Sequence, residues 1–96
     1  MARPIKVRRI SALPETYRQE GPPVTIGYDE FECIRLIDLC GLSQVECGEK
    51  MEVARTTVAL IYENARRKIA ESIVYGRQLE ICGGQYRVDD GSGKKD

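Results

Sequence analysis

The stretch Gly41–Ala70, GLSQVECGEKMEVARTTVALIYENARRKIA, decides the fold of this 96-residue chain. Ser43 with Glu46 three residues later makes a full S-x-x-E capping box. It announces a helix whose inward face carries Val45, Cys47, Gly48 and Met51. A longer helix is expected from Arg55 to about Tyr75, with Gly76 as its stop. Along it Val58, Ile61, Tyr62, Ala65, Ile69, Ser72 and Ile73 recur at three- and four-residue steps, which predicts a buried stripe. Thr56, Leu60, Glu63, Arg67 and Val74 fall on the opposite face. Only Glu52, Val53 and Ala54 separate the two helices. So short a connection predicts a helix-turn-helix, in which the second helix is held steeply enough for its N-terminal end to enter a major groove. Gly48 is small where the helices approach, Val53 plugs the turn, and Val58 anchors the second helix from within.

Upstream, a further helix is expected from Gly27 to Cys40. Gly27 serves as N-cap, Glu30 follows three residues later, Asp29 suits the positive helix end, and Gly41 terminates it. Phe31, Cys33, Ile34, Leu36, Ile37, Leu39 and Cys40 point nearly all round its axis, and only Arg35 and Asp38 mark a wet stripe. Such a helix needs cover on more than one side, from the rest of the chain or from a second subunit. Residues 14–24, with Pro14, Gly21, Pro22 and Pro23, read as loop. Residues 3–10 read as a short strand in which Ile5 and Val7 alternate with Lys6 and Arg8. Downstream, strands 78–82 and 85–88 are expected to form a hairpin about Gly83–Gly84, with Leu79 facing Val88, Ile81 facing Tyr86 and Glu80 facing Arg87. Two strands alone are marginal in water, so the N-terminal strand is expected to join as a third. The expected fold class is therefore mainly α with a small antiparallel β-sheet around a helix-turn-helix core. Residues 1–88 are expected to form one domain and residues 89–96, DDGSGKKD, a disordered tail.

The net charge is zero, but it is unevenly distributed. Residues 1–19 carry +4, residues 20–53 carry −6, residues 54–88 carry +3 and the tail −1. Two basic segments thus bracket an acidic one, and a molecule so polarised can still turn one positive face to phosphate. The four cysteines (Cys33, Cys40, Cys47, Cys82) form no C-x-x-C pair, and the chain has no histidine. They read as small apolar residues in a reducing compartment rather than as a zinc site. Cys33 and Cys40 stand about 10.5 Å apart along one helix axis, too far for a disulfide. No acid–base pair stands in a recognisable setting and no cysteine has a histidine to activate it, so an enzyme is not expected. Nor is a cofactor, a metal or a small-molecule substrate. The N-terminal MARPIKVRRIS is basic but leads into no apolar run, and no run of apolar residues is long enough to span a bilayer. A cytoplasmic protein is expected, dimeric or larger because so small a core gains from a second copy.

Six motifs resemble those of a family of small, uncharacterised prokaryotic proteins predicted to bind DNA. They are R-P-x-K-x-R-R-I from Arg3 to Ile10, D-E-x-E-x-I-R-L from Asp29 to Leu36, and G-L-S-Q-x-E from Gly41 to Glu46. The others are R-T-T-V from Arg55 to Val58, A-R-x-K-I-A from Ala65 to Ala70, and L-x-I-x-G-G-x-Y from Leu79 to Tyr86. The central part also resembles the C-terminal helix-turn-helix domain of bacterial sigma factors, which implies promoter-type reading of the major groove. The family turn holds a glycine followed by a small polar cap, where this chain has Glu52, Val53, Ala54 and Arg55. Either Glu52 is left-handed at a cost of about 1 kcal/mol or the turn adopts another conformation, and the missing cap at Ala54 costs about another 1 kcal/mol. Ala59 and Leu60 stand where the resemblance implies polar or basic groove-facing residues.

The expected function is that of a DNA-binding transcription regulator acting on double-stranded DNA. Arg55, Thr56 and Thr57 would read or position bases, and Leu60 could meet a thymine methyl. Arg66, Arg67 and Lys68 would hold phosphates. Arg3, Lys6, Arg8 and Arg9 could add an arm in the minor groove, a role that competes with their lying on a strand. The alternative is a homo-oligomeric interaction module that kept the fold without the reading surface. Leu60, Ala70 and Val74 on the outer face of the long helix motivate it.

Overall fold

The computed structural model describes residues 8–11 and 21–84. A short strand β1 (Val24–Ile26) leads into helix α1 (Tyr28–Cys33), which continues as a π-helical segment over Ile34–Leu39. Helices α2 (Gln44–Met51) and α3 (Arg55–Tyr75) follow, and the chain returns in strand β2 (Leu79–Ile81).

The three long-predicted helices begin and end where their signals stand. Gly27 caps α1: its N–H donates to Glu30 Oε1 at 2.8 Å, and its carbonyl accepts from Phe31 N–H. In α2 the box closes both ways, with Glu46 N–H donating to Ser43 Oγ at 3.1 Å and Ser43 N–H to Glu46 Oε1 at 2.9 Å. Helix α3 starts at Arg55 and is stopped by Gly76, which takes the left-handed conformation at φ 67°. The upstream helix differs from expectation in its second half. Wide bonds such as Cys40 N–H to the Arg35 carbonyl replace the α-helical pattern, and Leu42 N–H reaches back to Leu36.

The core forms where these helices meet. Cys33, Leu36, Cys47 and Val58 are buried together, with Ile37, Leu42, Met51, Val53, Ile61 and Tyr62 packed against them. Ala65 is buried further along α3. Two side chains expected inward are exposed: Val45 at 51% and Ile73 at 66%. Among the described residues nothing covers Leu39, which is 80% exposed, so the strongly apolar upstream helix is only partly wrapped. Polar ties reinforce its docking onto α3. Buried Glu30 meets Lys68 Nζ at 3.0 Å, and Tyr62 donates to Asp38 Oδ1 at 2.6 Å.

The sheet departs from the antiparallel arrangement expected. Its two strands are parallel, with Val24 opposite Leu79, Thr25 opposite Glu80 and Ile26 opposite Ile81. Parallel neighbours require a crossover, and here all three helices form it. Strand β1 begins at the end of the segment expected to be loop, and no element was expected at Thr25 and Ile26. Three residues are too few to show periodicity, and the prolines and glycine around them read as turn signals. Yet Val24, Thr25 and Ile26 are all β-branched, Pro22–Pro23 favours an extended approach, and Val24 and Ile26 bury one face of the strand. Gly83 and Gly84, expected as a hairpin turn, have positive φ and lie against the start of α1. Tyr28 N–H donates to the Gly83 carbonyl at 2.9 Å, and a Cβ on Gly84 would come within 3.0 Å of Gly27 Cα. Residues 8–10 of the expected N-terminal strand form no strand and do not join the sheet. The expected strand 85–88, residues 3–7 and the tail 89–96 lie outside the described residues.

Candidate nucleic-acid interface

The connection between α2 and α3 is set by backbone geometry. Glu52 takes the left-handed conformation at φ 61°, ψ 44°, and it is the one non-glycine to do so among the described residues. This lets the chain reverse in three residues, with Val53 N–H bonded to the Gly48 carbonyl at 3.0 Å. Gly48 is buried and sits against the turn so closely that a Cβ there would lie 2.8 Å from the Val53 carbonyl oxygen. Val58, fully buried one turn into α3, fixes the axis from the other side. Ala54 then enters the helix in an extended conformation, without a side-chain cap. The first-turn amides of α3 therefore keep their donors for an outside acceptor.

Around that helix start, Arg55, Thr56, Thr57 and Leu60 are all exposed, Leu60 at 61%. No ion pair holds Arg55 among the described residues. Arg67 lies on the same face as Leu60, about 18 Å along the axis from Arg55. It bonds loosely to neighbours on its own helix, Asn64 Oδ1 at 3.2 Å and Glu71 Oε2 at 3.9 Å. Arg66 stands on the flank, over the Tyr62 ring and 3.8 Å from Asp38. Lys68 is not brought to this surface. It turns toward α1 and is engaged by the Glu30 carboxylate. Arg8 and Arg9 are exposed, while Arg3 and Lys6 lie outside the described residues. Exposed Glu49, Glu52 and Glu63 temper the positive charge here, so the surface is mixed rather than uniformly basic.

The Glu30–Lys68 pair and the Tyr62–Asp38 bond were not read from the sequence. Glu30 stood out only as a capping residue, and it performs that role while also accepting from Lys68. Tyr62 stood in the buried stripe, where a phenol oxygen needs a partner; that was the available signal. Asp38 holds the Tyr62 hydroxyl, which raises its pKa above the ordinary tyrosine range. Burial pushes the Cys33 thiol up to about 12 and the Cys47 thiol in the same direction. Both therefore stay protonated and are poor nucleophiles. No helix among the described residues is long and apolar enough to cross a membrane.

A family model described as Protein of unknown function DUF134 matches residues 1–89. A UPF0251 protein of Desulfitobacterium hafniense is 51% identical over 97% of this chain and 81% of its own length. UPF0251 proteins of Caldicellulosiruptor saccharolyticus and Halothermothrix orenii are 46% and 42% identical, over 90% and 92% of this chain and 66% and 71% of their own lengths. No solved structure matches the chain at a significant level. With nearly its whole length matched by that model and by these bacterial relatives, the chain belongs to the family of proteins of unknown function DUF134.

Proposed function

We propose that the protein binds double-stranded DNA through the N-terminal turns of α3, as a helix-turn-helix transcription regulator. One observation carries this reading: the start of a 21-residue helix is exposed and uncapped, held off the core by a turn that Gly48 and Val58 pin from beneath. Arg55, Thr56 and Thr57 are the groups that enter the groove, and the free first-turn amides meet a phosphate. Leu60 presents an apolar surface to a thymine methyl. Arg67, farther along the same face, reaches the flanking backbone, with Arg66 beside it and Arg8 and Arg9 as additional cations. Lys68 is left out, because the Glu30 carboxylate already holds it.

The test is retention of random duplex DNA across a salt series, followed by sequencing of what is retained. A recovered motif with a steep salt slope supports the reading. No retention at low salt overturns it. Arg55→Ala should weaken specific binding by about 1–3 kcal/mol, and unchanged affinity removes Arg55 from the interface.

A second reading is favoured by the exposed apolar residues of α3. Leu60, Ala70 and Val74 lie on its outer face, and Ile73 and Tyr75 extend the apolar surface near its end. They suit a self-associating module without DNA readout. Salt-independent oligomerisation with no DNA retention would favour that reading.

A further inference from the structure

Three sulfur atoms converge in the core, and neither the packing nor the proposed interface requires them to. Sγ of Cys33, at the end of α1, lies 3.7 Å from Sδ of Met51. Sγ of Cys47, one turn earlier on α2, lies 3.6 Å from the same atom. Cysteines that merely fill space need not share a focus. Here two thiols from two helices both donate to one thioether sulfur, so three soft ligand atoms are gathered side by side. Harder ligands do not join them: among the described residues no three carboxylates, imidazoles or thiols gather into a metal-holding group.

We propose that Cys33, Cys47 and Met51 form a binding site for a soft monovalent cation, Cu(I). The ligand set is the argument. Thiolate and thioether sulfur select Cu(I) by softness, whereas zinc takes four ligands drawn from thiolate, imidazole and carboxylate. The spacing agrees. Metal–sulfur bonds of about 2.3 Å place three trigonal sulfurs about 4.0 Å apart. The two separations to Met51 fall a few tenths of an ångström short of that. Met51 can take up the difference, because its side chain has three rotatable bonds. Both cysteines are fully buried, but Met51 is half-buried, so its rotation opens a path from solvent. Binding replaces the S–H protons of Cys33 and Cys47, and both protons leave to solvent. Copper remains in the +1 state and no electron moves.

The site bridges α1 to the last turns of α2. Cys47 adjoins Gly48, and Met51 immediately precedes Glu52, so the ion would clamp the helix end that shapes the turn. An effect of copper on DNA affinity rests on the proposed function; copper binding itself does not.

The experiment uses the full reduced chain under anaerobic conditions, titrated with Cu(I) held by bicinchoninate. The expected result is one copper withdrawn per chain, with near-ultraviolet sulfur-to-copper absorption. Cys40→Ser/Cys82→Ser, which alters the two exposed thiols, should keep this uptake. Cys33→Ser and Cys47→Ser should lose it. Met51→Leu conserves volume and should fold while holding copper more weakly, which protects the test against variants that fail to fold. The proposal is overturned if the wild-type chain leaves all copper with the chelator, or if Met51→Leu binds as tightly as wild type. Loss of uptake in Cys40→Ser/Cys82→Ser, or equal competition by Zn(II), would also overturn it. A protein that takes up copper but retains no DNA would refute the proposed function and leave this site standing.

Discussion

Replacing Gly48 by alanine sets two opposing effects against each other at the pivot of the fold. Within a helix alanine is more favourable than glycine by about 0.8–1.0 kcal/mol, so propensity alone makes Gly48→Ala stabilising. The surroundings reverse the sign. A Cβ at this position would lie 2.8 Å from the Val53 carbonyl oxygen, 3.5 Å from Val58 Cγ2 and 3.7 Å from Arg55 N. The nearest atom belongs to the backbone of the turn, so no flexible side chain can swing aside. With a backbone atom at 2.8 Å the overpacking cost belongs in the upper part of its usual range, about 2–3 kcal/mol, which leaves a net loss of roughly 1–2 kcal/mol once propensity is credited. In a domain of this size that lowers Tm by about 5–15 °C. Thermal melts of wild type and Gly48→Ala, with Glu49→Ala as an exposed control on the same helix, measure it. Amide chemical shifts should also move from Val53 into the first turn of α3, because relief of the contact must displace the turn. A rise in Tm, as propensity alone requires, would refute the close-approach argument.

Three further substitutions probe the same region. Glu52→Gly should stabilise by about 0.5–1 kcal/mol, since relief of the left-handed cost exceeds the added freedom of glycine in the unfolded chain; a lower denaturation midpoint would contradict the strain at that residue. Ala54→Ser should add about 1 kcal/mol by capping α3, measured by urea denaturation, and no gain would mean that the first-turn amides are already satisfied. Glu30→Ala should cost roughly 2 kcal/mol, because it takes an acceptor from both the Gly27 amide and Lys68. If it costs no more than Glu63→Ala at an exposed site, the carboxylate does not hold α1 to α3.

What could be read in the sequence was what is local. Ser43 with Glu46, Gly76 after Tyr75, and the Val58-to-Ala65 stripe are signals carried within a few residues, and each element lies where its signal stands. The left-handed conformation of Glu52 was one of two outcomes left open by the resemblance to a glycine-bearing turn, and it is the one adopted. The sheet was illegible because its partners are brought together only by the helices between them. Gly83–Gly84 is locally indistinguishable from a hairpin turn, and its role against Gly27 depends on a distant segment. Val45 and Ile73 were misplaced for a related reason. Periodicity says which face of a helix is apolar, but not how far along that face the neighbouring element reaches. Of the DNA-facing residues named from the sequence, Arg55, Thr56, Thr57 and Leu60 share one exposed helix start, and Arg67 lies farther along the same face. Lys68 was separated from Arg67 only by a partner on another helix, which no inspection of a charge run reveals.

The pairing of β1 with β2 has a kinetic consequence. Helical turns and the α2–α3 connection need only neighbours in sequence, so they can form early, whereas the strands must wait until the whole crossover is in place. The sheet is then the last part of the described fold to close and the first to open. Its bonds Val24 N–H to Gln78 and Cys82 N–H to Ile26 should break as one event, because neither strand has another partner among the described residues. In native-state hydrogen exchange the amides of Val24 and Cys82 would share one opening free energy, below that of Val58. Unequal values would mean that the two strands open separately. The termini of the described fold would thus loosen together while the helical core beneath them stays shut.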